Sequence, residues 1–381
     1  MEIKKALIVT RVSGFVPQFE MNNVKILQEM GYEVHYAANF NTVVYGTDNK
    51  RLDGTGIVCH HIPFSRSPFS SNVLKCCKKL IKIMLQEKLD LIHCHMPMTG
   101  IIARIAAEKV RKKTGRNIPV IYTVHGFHFY KGAPLRNWVY YIPEKWCARY
   151  TDCLITINEE DYRRACSFRI RGCAEKISGV GIKTDKEILS EKDRVAVREK
   201  LGVSADECLL ISIGELNANK NHICVLRTLS QMQEKKIKYI ICGQGCLEEE
   251  LKSYICQNNL ENQVKLLGYR SDIEKLLQAS DIFIFPSLRE GLSVSVLEAM
   301  AAELPVIAKR IRGNTDLIQD GRGGYLVEED NTNLYENAIR KLFSDEKLRK
   351  EMSKWNRERV KEFSIDKVGM QMREIYERML N

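Results

Sequence analysis

Short apolar runs alternate with longer mixed segments along most of the chain. KKALIVT (Lys4–Thr10) is a β-rich run, and NVKILQEMG follows with the pattern of a helix that stops at Gly31. YEVHYAA, LDLIHCH (Leu89–His95), IPVIYTVHG (Ile118–Gly126) and TDCLITIN (Thr151–Asn158) repeat the strand pattern. Strands this uniformly apolar are buried on both faces, and helices between them imply parallel βαβ units. A second series begins near residue 208, with CLLISIGEL, IKYIICGQG, QVKLLGY, DIFIFPS, LPVIAKR and GGYLV as strands. The polar, glycine-rich segment GVGIKTDKE (Gly179–Glu187) is the natural linker. The pattern predicts two similar α/β halves, with ligands bound beyond the carboxyl ends of the strands.

One helix stands out by its periodicity. In SNVLKCCKKLIKIMLQEK, Lys75, Lys78, Lys79 and Lys82 recur at i, i+3, i+4 and i+7. Leu74, Cys77, Ile81 and Leu85 are expected to form the opposite, apolar stripe. The plain reading is a solvated lysine face over a buried stripe. Electrostatic attachment to anionic lipid is the alternative, to which EKVRKKTGR (Glu108–Arg116) adds.

Composition narrows the class. With 381 residues, two domains are expected, and 44% hydrophobic with 28% charged residues is an ordinary globular balance. No apolar stretch approaches the roughly 18 residues of a membrane span. The start MEIKKALIVT lacks a cleavage-site pattern, so no secretory leader is expected. Thirteen cysteines, most of them in apolar runs, point to free thiols in a reducing cytoplasm. CGQGC (Cys242, Cys246) lacks the second pair that a zinc site would need.

Charge changes the picture more. Residues 1–183 carry 28 Lys and Arg against 15 Asp and Glu, a net of +13, and residues 184–381 carry 31 against 33, a net of −2. The first half is therefore expected to meet something anionic, a membrane surface or nucleic acid. Few aromatics interleave with the lysine cluster, which counts against single-stranded nucleic acid.

Candidate chemistry concentrates in DIFIFPSLREGLSVSVLEAMA, a strand, a loop with Pro286, and a helix that Ser293 or Ser295 can cap. A helix N-terminus with its orphan N–H groups is a ready anion site. Glu290 lies in the loop before it, and Glu298 lies in its early turns. A carboxylate among apolar neighbours is costly unless paired, so each glutamate either has an internal partner or awaits a ligand. The plain alternative is two solvent-facing glutamates. His93 and His95 alternate on one strand and point the same way, which fits a structural role better than a metal site.

The spacing of Glu290 and Glu298 within REGLSVSVLEAMA resembles the signature of retaining glycosyltransferases of family 4. ISIGELNANKNH (Ile211–His222), ICGQGCLEEEL (Ile241–Leu251), LGYRSDI (Leu267–Ile273), IRGNTDLI (Ile311–Ile318), DLIHCHMP and VIYTVHGFHFYKGAP are similar to that family too, in the style of bacterial capsule and exopolysaccharide enzymes. The resemblance covers nearly the whole chain. It implies the GT-B fold, α/β throughout, with two Rossmann-like domains whose parallel sheets face a central cleft. The domains expected are 1–183, joined by a C-terminal crossing helix at about 362–381, and 184–361.

Carried onto this chain, the resemblance gives Glu290 to hydroxyls of the donor sugar and Glu298 to the ribose. The backbone of Gly291, Leu292, Ser293 and Val294 would hold sugar and diphosphate. Lys220 matches the family's diphosphate-neutralising lysine, whereas Glu215 stands where the family usually has arginine, whose work a carboxylate cannot do. Gly243 and Gly245 would let the backbone pass close to the donor. Tyr269 and Arg270 would flank the base, with Arg270 either stacked on it or exposed. Gly14 sits where the family often has two adjacent glycines, in a loop near the acceptor and donor phosphate. His125 would bond a donor-sugar or acceptor hydroxyl.

The function implied is retaining transfer of a hexose or N-acetylhexosamine from a UDP-sugar to a lipid-linked saccharide in surface polysaccharide synthesis. The UDP-sugar is a co-substrate, and neither a cofactor nor a metal is required. The expected partners are the UDP-sugar, the lipid-linked acceptor and an anionic membrane surface met by the basic half, without nucleic acid. The expected place is the cytoplasm, at the inner face of the membrane. The alternatives are a transferase with a soluble acceptor and a nucleotide-sugar binder without catalysis.

Overall fold

A computed structural model describes residues 3–46, 48–65, 72–185 and 187–380. Met1, Glu2, Ser71, Lys186 and Asn381, which fall in segments read above, lie outside the described residues. The chain forms two compact units, Met1–Gly181 with Ile365–Asn381, and Ile182–Ser364. These limits differ from the expected ones by two or three residues.

The first unit is built on seven parallel strands: β1 (Lys5–Val12), β2 (Glu33–Asn39), β3 (Val58–His61), β4 (Leu91–His95), β5 (Val120–Val124), β6 (Cys153–Thr156) and β7 (Cys173–Lys176). Their order is β3-β2-β1-β4-β5-β6-β7. Strands β1, β4, β5 and β6 are almost wholly buried, as their largely apolar sequences require. β3 and β7 have no apolar run and are missing from the sequence reading. They are the sheet edges, where Val58 and Cys59 are exposed and no residue of β7 is fully buried.

The second unit holds β8 (Cys208–Ile213), β9 (Ile237–Cys242), β10 (Val264–Gly268), β11 (Ile282–Phe285), β12 (Val306–Lys309) and β13 (Gly324–Val327). The order β10-β9-β8-β11-β12-β13 reverses direction between β8 and β11, the switch point at which open α/β sheets bind ligands. Alternate residues feed cores on opposite faces: Leu210, Ile241, Ile284 and Ile307 on one side, and Leu209, Ile240, Phe283 and Val306 on the other. Each such side chain contributes about 1.5–3 kcal/mol by burial, enough to fix the register and hence the loops at the strand ends.

Two helices of the first unit bear on function. The C-terminal helix Ile365–Leu380 buries Val368, Met372, Ile375 and Tyr376. Gln371 accepts the Ser178 N–H at 3.0 Å, and Arg373 pairs with Glu29 of the helix Met21–Glu29. The lysine-rich helix Asn72–Gln86 corrects the stripe expected for it. Its buried face is Cys76, Cys77, Leu80, Ile83 and Met84, while Leu74 is 72% exposed. The face is offset because it must cover the sheet beneath the helix Pro97–Thr114, and only Cys77 of the expected four is fully buried. All thirteen cysteines are free.

Candidate functional site

The loops at the carboxyl ends of β8, β9 and β11 converge in the second unit. After β11, Pro286 ends the strand and the chain turns into the helix Val294–Ala301. Ser293 caps that helix, accepting the Val296 N–H on its Oγ at 3.4 Å, and Ser295 Oγ lies 3.0 Å away. Of the two serines able to cap, Ser293 does so because it holds the extended conformation a cap needs, φ −81° and ψ 117°. The first-turn N–H groups beyond it have no acceptor within the helix.

Glu290 has an internal partner. Lys220 Nζ, from the loop after β8, is 2.8 Å from Glu290 Oε1, and Ser287 Oγ donates to the same oxygen at 2.5 Å. Lys220 Nζ also lies 4.7 Å above the Phe285 ring. Both charged side chains keep less than a fifth of their exposure, so the pair is shielded but reachable. Asn219 Nδ2 ties the two loops by bonds to Ser287 Oγ at 3.3 Å and the Arg289 carbonyl at 3.0 Å, and the Leu288 N–H donates to Asn219 O at 2.8 Å. Arg312, almost buried, donates from Nε to the Glu290 carbonyl at 3.0 Å. An ammonium has three donors, so Lys220 can hold Glu290 and an incoming anion together.

The loop after β9 is stapled to the loop after β8. Gly214 N–H bonds Cys242 O at 3.0 Å and Leu216 N–H bonds Gln244 O at 3.0 Å. Gly243 has φ +154°, and a Cβ there would stand 1.9 Å from the Gly214 carbonyl oxygen, so only glycine allows this approach. Gly245 follows in the same turn. Gly291 and Leu292 are half-buried in the loop before the cap, and Val294 opens the helix. Glu298 is half-buried within that helix.

Three further predicted residues are exposed or engaged elsewhere. Glu215 is exposed, two residues beyond the end of β8. Tyr269 is exposed as well. Arg270 grips Asp272 with two bonds, Nε to Oδ1 at 2.7 Å and Nη2 to Oδ2 at 2.6 Å, so its guanidinium is committed to a carboxylate.

Gly14 and His125 lie in the first unit, where the structure gathers a group that the sequence reading saw only in part. Gly14 is buried after β1, and a Cβ there would lie 1.7 Å from the Val44 carbonyl oxygen. Beyond it a π-helical turn, Val16–Glu20, brings Glu20 inward. His93 and His95 do point the same way. His93 Nδ1 is 2.8 Å from Tyr376 OH, and His93 Nε2 is 2.8 Å from Thr123 Oγ1. His95 Nδ1 faces His125 Nε2 at 3.1 Å, and Glu20 Oε1 is 3.6 Å from the former and 3.7 Å from the latter.

Burial neutralises this cluster. It pushes the Glu20 carboxyl up to about 8, against which an Asn23 bond works. It pushes His93 down to about 3 and His125 down to about 4, and His95 lies well below its usual range. Glu20, His93 and His95 each place a ligand atom within 4.8 Å of the others. Edges of about 3.4 Å would suit a zinc tetrahedron. The His95 and His125 ring centroids, 5.4 Å apart, put the two facing nitrogens nearly in line, which is hydrogen-bond geometry.

Ser287, Asn219, Arg312 and Glu20 were not predicted. Only Asn219 had a signal, the polar run NANKNH after a strand. His222, which closes that run, is buried and held at about 4 by desolvation and by Lys220.

Residues 22–178 match Glycosyltransferase Family 4, and residues 193–359 match Glycosyl transferases group 1. The chain is 36% identical over 378 residues to the putative glycosyltransferase EpsD of Bacillus subtilis (strain 168), covering 98% of this chain and 96% of the relative. It is 32% identical over 313 residues to the UDP-Gal:alpha-D-GlcNAc-diphosphoundecaprenol alpha-1,3-galactosyltransferase of Escherichia coli, covering 78% and 77%. The crystal structure of Anabaena HepE in complex with UDP and glucose superposes with a TM-score of 0.79 at 20% identity, covering 98% of this chain and all of that one. At that identity the likeness speaks for the fold, which is GT-B.

Proposed function

Because the chain belongs to the glycosyltransferases, we propose that it moves a hexose or N-acetylhexosamine from a UDP-sugar to a lipid-linked saccharide, with retention at the anomeric carbon, in surface polysaccharide synthesis. The observation that carries this reading is the Lys220–Glu290–Ser287 cluster set against the Ser293-capped helix. It offers a cation and a helix N-terminus for a diphosphate, with a carboxylate beside them for sugar hydroxyls. The Escherichia coli relative, whose name gives UDP-Gal as donor and a diphosphoundecaprenol acceptor, supports the donor and acceptor classes. The HepE complex with UDP and glucose supports the donor class again.

In the mechanism proposed, the bond from the sugar's anomeric carbon to the diphosphate breaks and a bond to the acceptor oxygen forms on the same face. The acceptor's proton passes to the leaving phosphate oxygen, so no protein nucleophile is needed. Charge develops on the diphosphate, and Lys220 with the first-turn N–H groups of Val294–Ala301 stabilises it, which makes a metal unnecessary. Glu290 orients the sugar. Glu298 is assigned to the ribose, and Gly243 and Gly245 to the close passage of the donor. His125, whose side chain keeps 23% exposure, is assigned to an acceptor or donor-sugar hydroxyl. The exposed lysines of Asn72–Gln86 favour an anionic membrane surface at the inner face of the membrane.

Glu215 in the usual place of an arginine favours a second reading, a nucleotide-sugar binder without turnover. A thermal-shift panel of UDP-, GDP- and ADP-sugars, followed by UDP release in the presence of a membrane extract, separates the two. Selective stabilisation by UDP-sugars with UDP release is expected. Stabilisation without release leaves the binder, and a preference for GDP or ADP removes the uracil assignment.

A further inference from the structure

Residues 135–150 form one continuous helical run: a 3-10 turn Leu135–Tyr140, a helix Tyr141–Cys147 and a 3-10 turn Ala148–Tyr150. Its inward face is fixed. Glu144, the only acid between Lys131 and Tyr150, is buried, accepts Arg104 Nη2 at 2.5 Å and takes the Tyr122 hydroxyl at 2.8 Å. Cys147 and Ala148 are buried beside it. With that face held, Leu135, the adjacent Trp138 and Val139, Ile142 and Trp146, which recur about once per turn, are turned to solvent. Leu135 is 89% exposed, Ile142 74% and Val139 58%. A helix that leaves its apolar stripe outside has a use for it.

The charge around the stripe says what covers it. Lys131, Arg136, Lys145 and Arg149 are all exposed, so with Glu144 inside, the run itself turns four positive charges outward and no negative one; the acid beside it is Glu160, which accepts the Lys131 N–H at 2.7 Å and lies 3.9 Å from Arg164. Two of the chain's three tryptophans are on this face. Arg149 lies over the Trp146 ring at 5.3 Å, Lys145 over Tyr141 at 5.5 Å and Arg164 over Trp138 at 5.2 Å. Cations stacked on aromatic rings beside exposed aliphatic side chains are the groups that an anionic bilayer surface takes with its phosphates, its interface and its acyl chains. The lysine helix Asn72–Gln86 differs, since it exposes cations with Leu74 but no aromatic ring. Among the described residues no helix is long and apolar enough to cross a membrane.

We propose that the stripe Leu135–Trp146 is an interfacial anchor that inserts its apolar side chains into an anionic phospholipid bilayer. This deepens the membrane-facing part of the proposed function and rests on it for the place where the acceptor is met. The anchor supplies hydrophobic insertion, where the lysine helix supplies only Coulomb attraction.

The test uses the full chain and vesicles without any acceptor. Flotation with phosphatidylglycerol–phosphatidylcholine vesicles compares the native protein with the Leu135→Asp/Ile142→Asp variant, whose altered side chains lie in solvent. Native binding is expected, with a fall in vesicle partition of roughly tenfold or more in the variant. Brominated acyl chains should quench the native tryptophan emission. An unchanged UDP-induced thermal shift in the variant shows that the fold and donor site persist. Equal partition of both proteins, unquenched emission on bound vesicles, or no native binding overturns the anchor. So does a native dimer that the variant dissolves, which would make the stripe a contact between copies. Vesicle binding together with no UDP release from any UDP-sugar in the presence of a membrane extract leaves the anchor standing and sinks the transferase reading.

Discussion

The two units keep carboxylates out of trouble in opposite ways. In the second, Glu290 is paired with Lys220 and Ser287, in a shielded but open loop cluster. In the first, Glu20 is buried among His93, His95 and His125, and the whole group sheds its charge. An ion pair with donors to spare can change partners when an anion arrives. A neutral cluster knit by aligned hydrogen bonds has no such freedom and holds β4, β5 and the C-terminal helix in place. The contrast separates a paired, shielded cluster proposed to bind an anion from a neutral one that holds strands together and leaves only the partly exposed His125 for a ligand hydroxyl.

The sharpest break of this contrast is Lys220→Ala. It should lower kcat/KM by on the order of 10²–10³, the usual loss for one transition-state donor, and weaken UDP binding. Glu290→Ala should abolish transfer yet leave UDP affinity mostly intact. If both variants bind UDP and transfer sugar as the native chain does, the pair is merely a structural tie.

Next in size is the response to pH. Each buried histidine takes up a proton on unfolding below its ordinary value of about 6.5, so the first unit loses stability as pH falls from there towards the depressed folded values. Glu20, raised to about 8, acts the other way: its buried neutral form stabilises least as pH climbs past its ordinary range. Three histidines against one carboxyl leave a net loss of up to about 3 kcal/mol per pH unit on the acid side, less whatever the partly exposed His125 fails to contribute. Stability of the first unit should therefore peak near neutrality. Thermal melts across pH, followed by proton uptake on unfolding, check it, and a flat profile from neutral to mildly acid pH would contradict the desolvated cluster.

His93→Leu leaves the Tyr376 hydroxyl and Thr123 without their buried partner, at a cost of about 2–3 kcal/mol. Denaturant unfolding should show the loss while UDP affinity stays unchanged, and a fall in UDP affinity would join the two regions that the contrast separates. Ser293→Ala, the smallest change, removes one cap bond worth about 1 kcal/mol. Its UDP affinity should fall more than its stability if the helix tip meets the diphosphate, and stability alone should fall if it does not.

The central strands were legible in the sequence because burial on both faces leaves an unbroken apolar run, as in DIFIF and CLLISI. The edges β3 and β7 were not, because VCHH and CAEK satisfy only one neighbour and carry no such run. The loop–helix carrying Glu290 and Glu298 could be found from its spacing, and Ser293 from its place before an apolar helix. The partner of Glu290 could not, since Lys220 lies 70 residues earlier and only the parallel pairing of β8 with β11 brings the two loops together. The stripe of the lysine helix was misjudged for the same kind of reason: periodicity names two faces, and the sheet decides which is covered.

By itself, the sequence determined the alternation of strands and helices, the two-fold α/β division, the lopsided charge and the residue types at the strand ends. Those follow from local backbone preference and from the solvation of each side chain. Tertiary structure alone decided that Glu290 is paired, that Glu20 and three histidines gather in one cluster, and that Leu135, Ile142 and their neighbours are left outside. Partnership and exposure depend on what distant segments bring, and no local pattern records that.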